Sequence, residues 1–401
     1  MELEKNRQTE IVEPYKLPTG WKWCKQSEVC KLVDGEKIAD KEYPYLEVKY
    51  LRGTKEKSFV TSGKLIKKGT KVILVDGENS GEVFAIHEDG YMGSTFKALS
   101  IENVDENYLQ YFITTKKDLY RNNKKGSAIP HLNKDLFKNM PFPLPPTLVE
   151  QQRIVNRIET MFAKLDQAQE KAQSVLDSFE PRKAAILHKA FTGQLKIDNE
   201  ELKIEDWEDT TIGECCKLGS GGTPSKSHPE YYENGTIPWL KTGEIDWKDI
   251  YEVEEKITHE GVDNSSAKIF PAESVVVAMY GMGVTRGKAA ILKIPTATNQ
   301  AVCVLQPNEK LNNRFLFYYF MCNYWQIREQ SVGGNQLNLS GKIIASFPIK
   351  LPPLNYQLSI VNFLDTVLEK ESRAKEAAKT VLNQIVLLKK SILARAFRGE
   401  L

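Results

Sequence analysis

The side chains able to do chemistry fall into two sets, one in each half of the chain. In the second half, Asn299–Gln300 and the group Asn335, Gln336 and Asn338 carry carboxamides that can bond bidentately to an adenine edge. Arg286 lies in a glycine-rich stretch, 281–287, from which a guanidinium could reach a guanine or a phosphate. Thr223, Lys226 and Lys241 complete the set, the lysines as phosphate contacts, with Tyr231 and Tyr232 placed to pack against sugars. The first half offers Lys49, Arg52, Asn79, Ser94, Lys124, Lys125, His131 and Asn133. Any one of these fits a solvated polar loop equally well. As sets they supply what reading double-stranded DNA requires, donors and acceptors for base edges plus cations for phosphates.

Catalytic chemistry finds no such support. Methyl transfer to a base would need a glycine-rich cofactor loop and an Asn/Asp-Pro-Pro-aromatic tetrapeptide, but the Pro-Pro pairs here, 145–146 and 352–353, follow leucine. GSGGTPSKS (219–227) lacks the Gly-Lys-Ser/Thr ending of a phosphate loop. Asp40, Glu47 and Lys49 imitate a nuclease metal site, with Glu47 and Lys49 expected on one face of a strand; a solvated strand face is the simpler reading. The 5 histidines are scattered, and the 6 cysteines form neither a CxxC pair nor a cluster with metal spacing. They read as small core residues in a reducing compartment. No catalysis, metal or cofactor is expected on this chain.

The elements that must position the loops are written twice. HKAFTGQL (188–195) returns as ARAFRGEL (394–401), and LPPTLVEQQRIV (144–155) as LPPLNYQLSIV (351–361), with a constant offset of 206 from Ile154 onward. WKWCKQSEVCKL (21–32) matches WEDTTIGECCKL (207–218), and YPYLEVKYL (43–51) matches IPWLKTGEI (237–245). Across this looser part the offset drifts from 186 to 207, so the second copy carries about 20 extra residues. Close retention in one part and divergence in the other imply a shared frame bearing two modules that do different jobs of one kind.

The retained part has a heptad pattern. Ile360, Leu364, Val367, Glu371, Ala374, Ala378, Val381, Ile385, Leu388 and Ile392 alternate spacings of four and three, Glu371 being the polar intruder. In the first copy the same positions are Ile154, Ile158, Met161, Leu165, Ala168, Ala172, Val175, Phe179, Arg182 and Ile186. This predicts two helices of ~40 residues, each ~60 Å long. Pro-Pro pairs open them, and Gly193 and Gly399 close them. An antiparallel pair with pseudo-twofold symmetry is expected, close-packed at its alanines. Pro181, where the second helix has Leu387, should kink or break the first.

The domain plan is therefore 1–143 and 196–350 as variable modules, and 144–195 and 351–401 as helical regions. Within the modules VILV (72–75), VVVAM (275–279), KAAIL (288–292) and AVCVL (301–305) read as strands, and 108–120 and 315–328 as helices. The fold class is α+β. A formal charge of +2 neither demands nor excludes nucleic acid, since a DNA reader needs a local basic surface. MELEKNRQTE has no apolar core for a signal peptide, and no apolar run approaches the ~20 residues of a membrane span. A soluble, cytoplasmic protein without membrane contact is expected.

In the second copy GGTP (221–224), IPWLKTGEI, TNQ (298–300) and QLNLS (336–340) stand in that order, and each copy ends in LPP…Q…IV, a heptad helix and AF-x-G-x-L. Over essentially the whole chain this layout resembles the specificity (S) subunits of Type I restriction-modification systems. The resemblance implies two target recognition domains, each reading one half of a bipartite DNA sequence, separated by an antiparallel coiled coil. It also implies two methyltransferase (M) subunits bringing S-adenosylmethionine, and restriction (R) subunits that use ATP and join for cleavage. The first domain departs from the pattern: LVDGEKIAD (32–40) replaces GGTP, MGST (92–95) replaces TNQ, and GSAIPHLNK (126–134) replaces the late loop. The competing class is a non-catalytic two-domain scaffold that binds proteins and never touches DNA.

Overall fold

The structure, a computed structural model, describes residues 13–126, 130–197, 200–201, 204–281, 283–331 and 338–401. It divides into two compact units, Met1–Gln173 with Lys379–Leu401, and Ser174–Ala378. Two helices of 44 residues, Leu148–Phe191 and Leu354–Phe397, each give one end to each unit. Each begins within two residues of its Pro-Pro pair, and the Thr147 hydroxyl accepts the Glu150 amide at 3.2 Å in the first turn. The closing glycines Gly193 and Gly399 have φ of 69° and 73°, the left-handed cap that disfavours any side chain. At Gly399 a Cβ would also lie 2.2 Å from Pro18.

In the first unit one sheet runs in the order Cys30–Val33, Phe96–Ile101, Lys71–Leu74, Val83–Ala85. A five-stranded sheet contains the parallel pair Tyr43–Leu46 and Gly90–Met92, and Lys22–Lys25 pairs with Pro141–Leu144. The second unit repeats the plan. Its five-stranded sheet centres on Val302–Pro307, Val275–Ala278 and Ala289–Leu292, the parallel pair that answers the first unit's is Ile237–Leu240 with Thr296–Thr298, a second parallel pair joins Asp249–Ile250 to Ala289–Leu292, and Glu208–Thr211 pairs with Pro348–Leu351. In both units the central strand is buried on both faces, so alternate side chains feed separate cores. Val275 and Val277 pack towards the helices Asn313–Cys322 and Leu354–Phe397, whereas Val276 and Ala278 join Leu240 and Ile250. Ile73 and Val72 divide in the same way in the first unit. Each expected strand is present. Each expected helix is a pair, Glu106–Thr115 with Lys117–Asn122 and Asn313–Cys322 with Tyr324–Glu329.

Within each unit the ends of the long helices run antiparallel. In the first, Lys389 binds Asp166, Arg153 donates to the Leu401 carbonyl at 2.9 Å, and Ile154, Val155 and Ile158 share a core with Leu393, Ala396 and Phe397. In the second, Lys375 binds Glu180 at 3.2 Å, and Arg182 gives Glu371 two bonds of 3.0 and 2.8 Å. The polar residues of the two heptad seams thus neutralise each other, a pairing that fixes register. Of the kink or break expected at Pro181, the break does not occur: the first helix runs on through it, on an exposed turn where water can serve the carbonyl that the missing amide would have bonded. One seam expectation is corrected: from Ala374 onward alternate positions of the second helix slip by one residue, so that Ala374, Val381 and Leu388 are exposed and Lys375, Leu382 and Lys389 turn inward, while Ala378 and Ile385 stay buried, because a straight helix drifts against a strict heptad.

Candidate nucleic-acid interface

In each unit the same backbone hydrogen bonds gather loops from four parts of the module at one edge. The Val75 amide donates to the Thr95 carbonyl at 2.8 Å, and the Val75 carbonyl accepts from Leu132 at 2.7 Å. In the second unit the Met279 amide donates to Ala301 at 2.9 Å, and its carbonyl accepts from Leu339 at 3.0 Å. The amides of Gly93 and Asn299 reach the Leu46 and Leu240 carbonyls, both at 3.1 Å. A hairpin loop, a strand-to-strand turn, a late loop and the end of a parallel strand therefore meet twice in one arrangement.

The second edge collects most of its expected residues. The Thr223 hydroxyl donates to Oε1 of exposed Gln300 at 2.6 Å, joining GGTP to TNQ. Asn299 Oδ1 accepts the Ala301 amide at 3.1 Å, which uses the oxygen and not the NH₂ group. Lys241, one residue beyond Leu240, pairs with Glu255 and stands 5.3 Å from the Trp239 ring. Lys226 is exposed, with no ion-pair partner among the described residues. Tyr231 stacks on His228 with centroids 4.8 Å apart, while the Tyr232 hydroxyl is bonded to the Pro224 carbonyl. Arg286 sits on the hairpin loop, where burial and the nearby Arg328 charge pull its guanidinium below the ordinary range. Asn338 Oδ1 is buried with no hydrogen-bond partner among the described residues. Asn335 and Gln336 lie outside the described residues.

The first edge holds its residues differently. Asn79 and exposed Ser94 occupy the hairpin loop and the turn that answer those of Arg286 and Gln300. Four of its basic side chains meet carboxylates: Arg52 with Glu82, Lys124 with Glu78 and Lys125 with Asp135 both at 2.7 Å, and the His131 imidazole with Asp76 at 2.7 Å. These bonds hold the carboxyls of Glu78 and Asp135 below their usual range. Asn133 caps the helix Lys134–Asn139, accepting the Leu136 amide at 3.1 Å. The expected strand face is not formed: the strand ends at Leu46, Glu47 pairs with Lys55, and Lys49 lies exposed on the helical turn Val48–Leu51. Among the described residues no group of three or more His, Cys, Asp or Glu is placed to hold a metal ion. The cysteines are free thiols, five of them buried, and burial pushes Cys30, Cys216 and Cys303 up to about 12.

Two features escaped the sequence reading. Gln151 and Gln357, the glutamines of the two LPP…Q…IV segments, are buried locks: each Oε1 accepts the amide of the residue that caps the neighbouring helix, Asp105 at 2.7 Å and Asn312 at 2.8 Å. Their shared offset was the available signal. Tyr324 and Arg328 pin the Arg286 loop from behind by bonding the carbonyls of Val284, Gly283 and Arg286; only their distance in sequence concealed this.

Comparison with known proteins gives the same picture. Residues 18–176 and 204–384 match the Type I restriction modification DNA specificity domain. The chain is 25% identical to the Type I restriction enzyme MjaVIII specificity subunit of Methanocaldococcus jannaschii, over 96% of both chains. Its fold is similar to the HsdS subunit of Thermoanaerobacter tengcongensis, with TM-score 0.66, 19% identity and coverage of 97% of this chain and 99% of that one. It is also similar to a chain from a structure on complex assembly and conformational transition of the type I R-M system, with TM-score 0.74, 18% identity and coverage of 97% and 100%.

Proposed function

This chain belongs to the Type I restriction-modification specificity family and recognises DNA targets, and on that premise we propose how it does so. Each unit reads one half of a bipartite double-stranded sequence with its four-loop edge. The carrying observation is that one set of backbone hydrogen bonds builds this edge twice while the side chains on it differ. Such an edge presents different donors and acceptors on one frame, as two independent half-sites require. In the second unit Thr223, Gln300, Asn299 and Arg286 face bases, and Lys226 and Lys241 serve phosphates; in the first, Asn79 and Ser94 hold the matching positions.

The chemistry then lies on partners. Two methyltransferase subunits bring S-adenosylmethionine, restriction subunits bring ATP-dependent cleavage, and this chain is the non-catalytic guide of a cytoplasmic complex. Extruding a base needs an enclosing pocket beside a methyl donor, which this reading places on the methyltransferase subunits. The decisive experiment replaces residues 17–143 with the matching segment of another specificity subunit and sequences the methylated sites in a host. One half of the methylated word should change and the other persist. A change in both halves would overturn independent reading. Methyl transfer by the purified chain alone would overturn the division of labour, and methylation unaffected by deleting the gene would favour a protein scaffold.

A further inference from the structure

The two copies differ at a second place, away from the loop edges. In the second unit, Lys183 and Ala184 of the first long helix, Phe191, Trp247, Tyr324 and Trp325 line a cavity of about 810 Å³. The first unit fills the matching positions with ion pairs. Lys389, which answers Lys183, binds Asp166 and lies 5.5 Å from the Phe162 ring; Lys390, which answers Ala184, lies 3.6 Å from Asp118, which answers Trp325. In the second copy Ser372 stands for Asp166 and Leu368 for Phe162. Lys183 consequently has no carboxylate or hydrogen-bond partner among the described residues, and burial pulls its ammonium below the ordinary range. The carboxylates nearby are committed elsewhere, Glu180 to Lys375, Asp246 to Lys288 at 2.6 Å and Asp209 to Lys350 at 2.8 Å.

A half-buried cation without an ion-pair partner of its own is unfavourable until something supplies one. Beside it Trp325 keeps 65% of its surface exposed, and Trp247 is held at φ 49° with its ring edge-on to Tyr324 at 5.5 Å. An exposed tryptophan next to an unpaired cation is the kind of residue that anchors a protein interface. We infer that this groove receives a segment of the methyltransferase partner in which a carboxylate neighbours a branched or aromatic apolar side chain. The carboxylate pairs with Lys183, as Asp166 pairs with Lys389, and the apolar group covers Trp325 and Phe191. The first unit satisfies its own lysines, so the two partner copies dock unequally. The inference rests on the proposed assembly with two methyltransferase subunits.

Titrating the full-length chain with its methyltransferase subunit, followed by native mass spectrometry, tests this. Wild-type protein should take up two copies in two steps. Lys183→Glu should weaken one step on the order of tenfold or more and spare the other. Lys183→Arg should preserve both, and Trp325→Ala, whose folding circular dichroism checks, should weaken the same step as Lys183→Glu. Two steps of unchanged strength in Trp325→Ala, or in correctly folded Lys183→Glu, would overturn the docking site. A wild-type chain that bound no methyltransferase subunit would overturn the assembly reading and this inference with it.

Discussion

The two loop edges share a backbone and differ in how their polar side chains are held. On the second, the Thr223 hydroxyl bonds the Gln300 carboxamide, Arg286 stands on the hairpin loop, and Lys226 has no ion-pair partner among the described residues. On the first, Arg52, Lys124, Lys125 and His131 each face a carboxylate of their own domain. Main-chain bonds at Val75 and Met279 decide where the loops meet, so their side chains are free to diverge. A phosphate approaching the first edge must compete with Glu78, Asp76, Asp135 and Glu82, whereas one approaching Lys226 meets no such rival.

If the frame is common to both units, damaging it should be costly in both. Gln357 makes three bonds, to the Asn312 amide and, at 2.7 and 2.9 Å, to the Lys310 and Pro352 carbonyls. Gln357→Leu strands these groups and should remove ~2–4 kcal/mol from the second unit. Gln151→Leu should remove ~1–3 kcal/mol from the first. Denaturant unfolding of both variants measures this, and a negligible effect in either copy would break the claim of one frame.

The loops should then respond separately. Arg286→Ala should cost ~1–3 kcal/mol at one position of the second half-site if the guanidinium reads a base, and leave the first half-site unchanged. Lys124→Ala should cost less, spread over all sequences, because its charge is already matched by Glu78. Binding measured on a panel of single-base variants separates the two. A uniform loss from Arg286→Ala would reassign it to a phosphate.

Much of this frame was legible in the chain itself. The repeat, the glycine caps and the β-branched strands announce themselves within short windows. The loop edges did not, because Arg52 meets Glu82, and His131 meets Asp76, across long stretches that no local pattern connects. Lys49 was misplaced because alternation in YPYLEVKYL continues past Leu46, where the strand ends and a helical turn begins. The second seam was read correctly up to Glu371; beyond it Ala378 and Ile385 are buried as expected, but the alternate positions Ala374, Val381 and Leu388 are lost to the mismatch between 3.6 and 3.5 residues per turn.

The helix pair carries a smaller version of the same contrast. Arg182 and Glu371 occupy seam positions that are apolar elsewhere, with side chains 39% and 22% exposed. Arg182→Leu alone leaves the Glu371 carboxylate partly buried and unpaired, and should cost about 1 kcal/mol after solvent screening. Combining it with Glu371→Leu should recover that loss, since two leucines restore an apolar seam. A double variant no more stable than the single one, by thermal unfolding, would show that the pair is not mutually compensating.

The finest test removes the carboxylates that occupy the first edge. Glu78 and Asp135 have depressed pKa values, from their bonds to Lys124 and Lys125. A depressed carboxyl stays ionised at neutral pH, and its pairing is lost only as pH falls through its folded value, below the ordinary carboxylate range. Between pH 6 and 8 these pairs are therefore constant, and substitution rather than titration must expose them. Glu78→Gln and Asp135→Asn each free one lysine for a phosphate, so each should steepen the salt dependence of DNA binding by at most ~0.9 in log–log slope. Binding isotherms between ~50 and 200 mM salt read that slope. The effect should be the same on cognate and non-cognate DNA, because released lysines meet phosphates and not bases. If instead the first half-site changed its preferred base, Glu78 or Asp135 would itself be reading the sequence, accepting from a cytosine amino group. The first edge would then be an acidic reader beside an amide-rich one, and the contrast between the domains would lie in the bases they select.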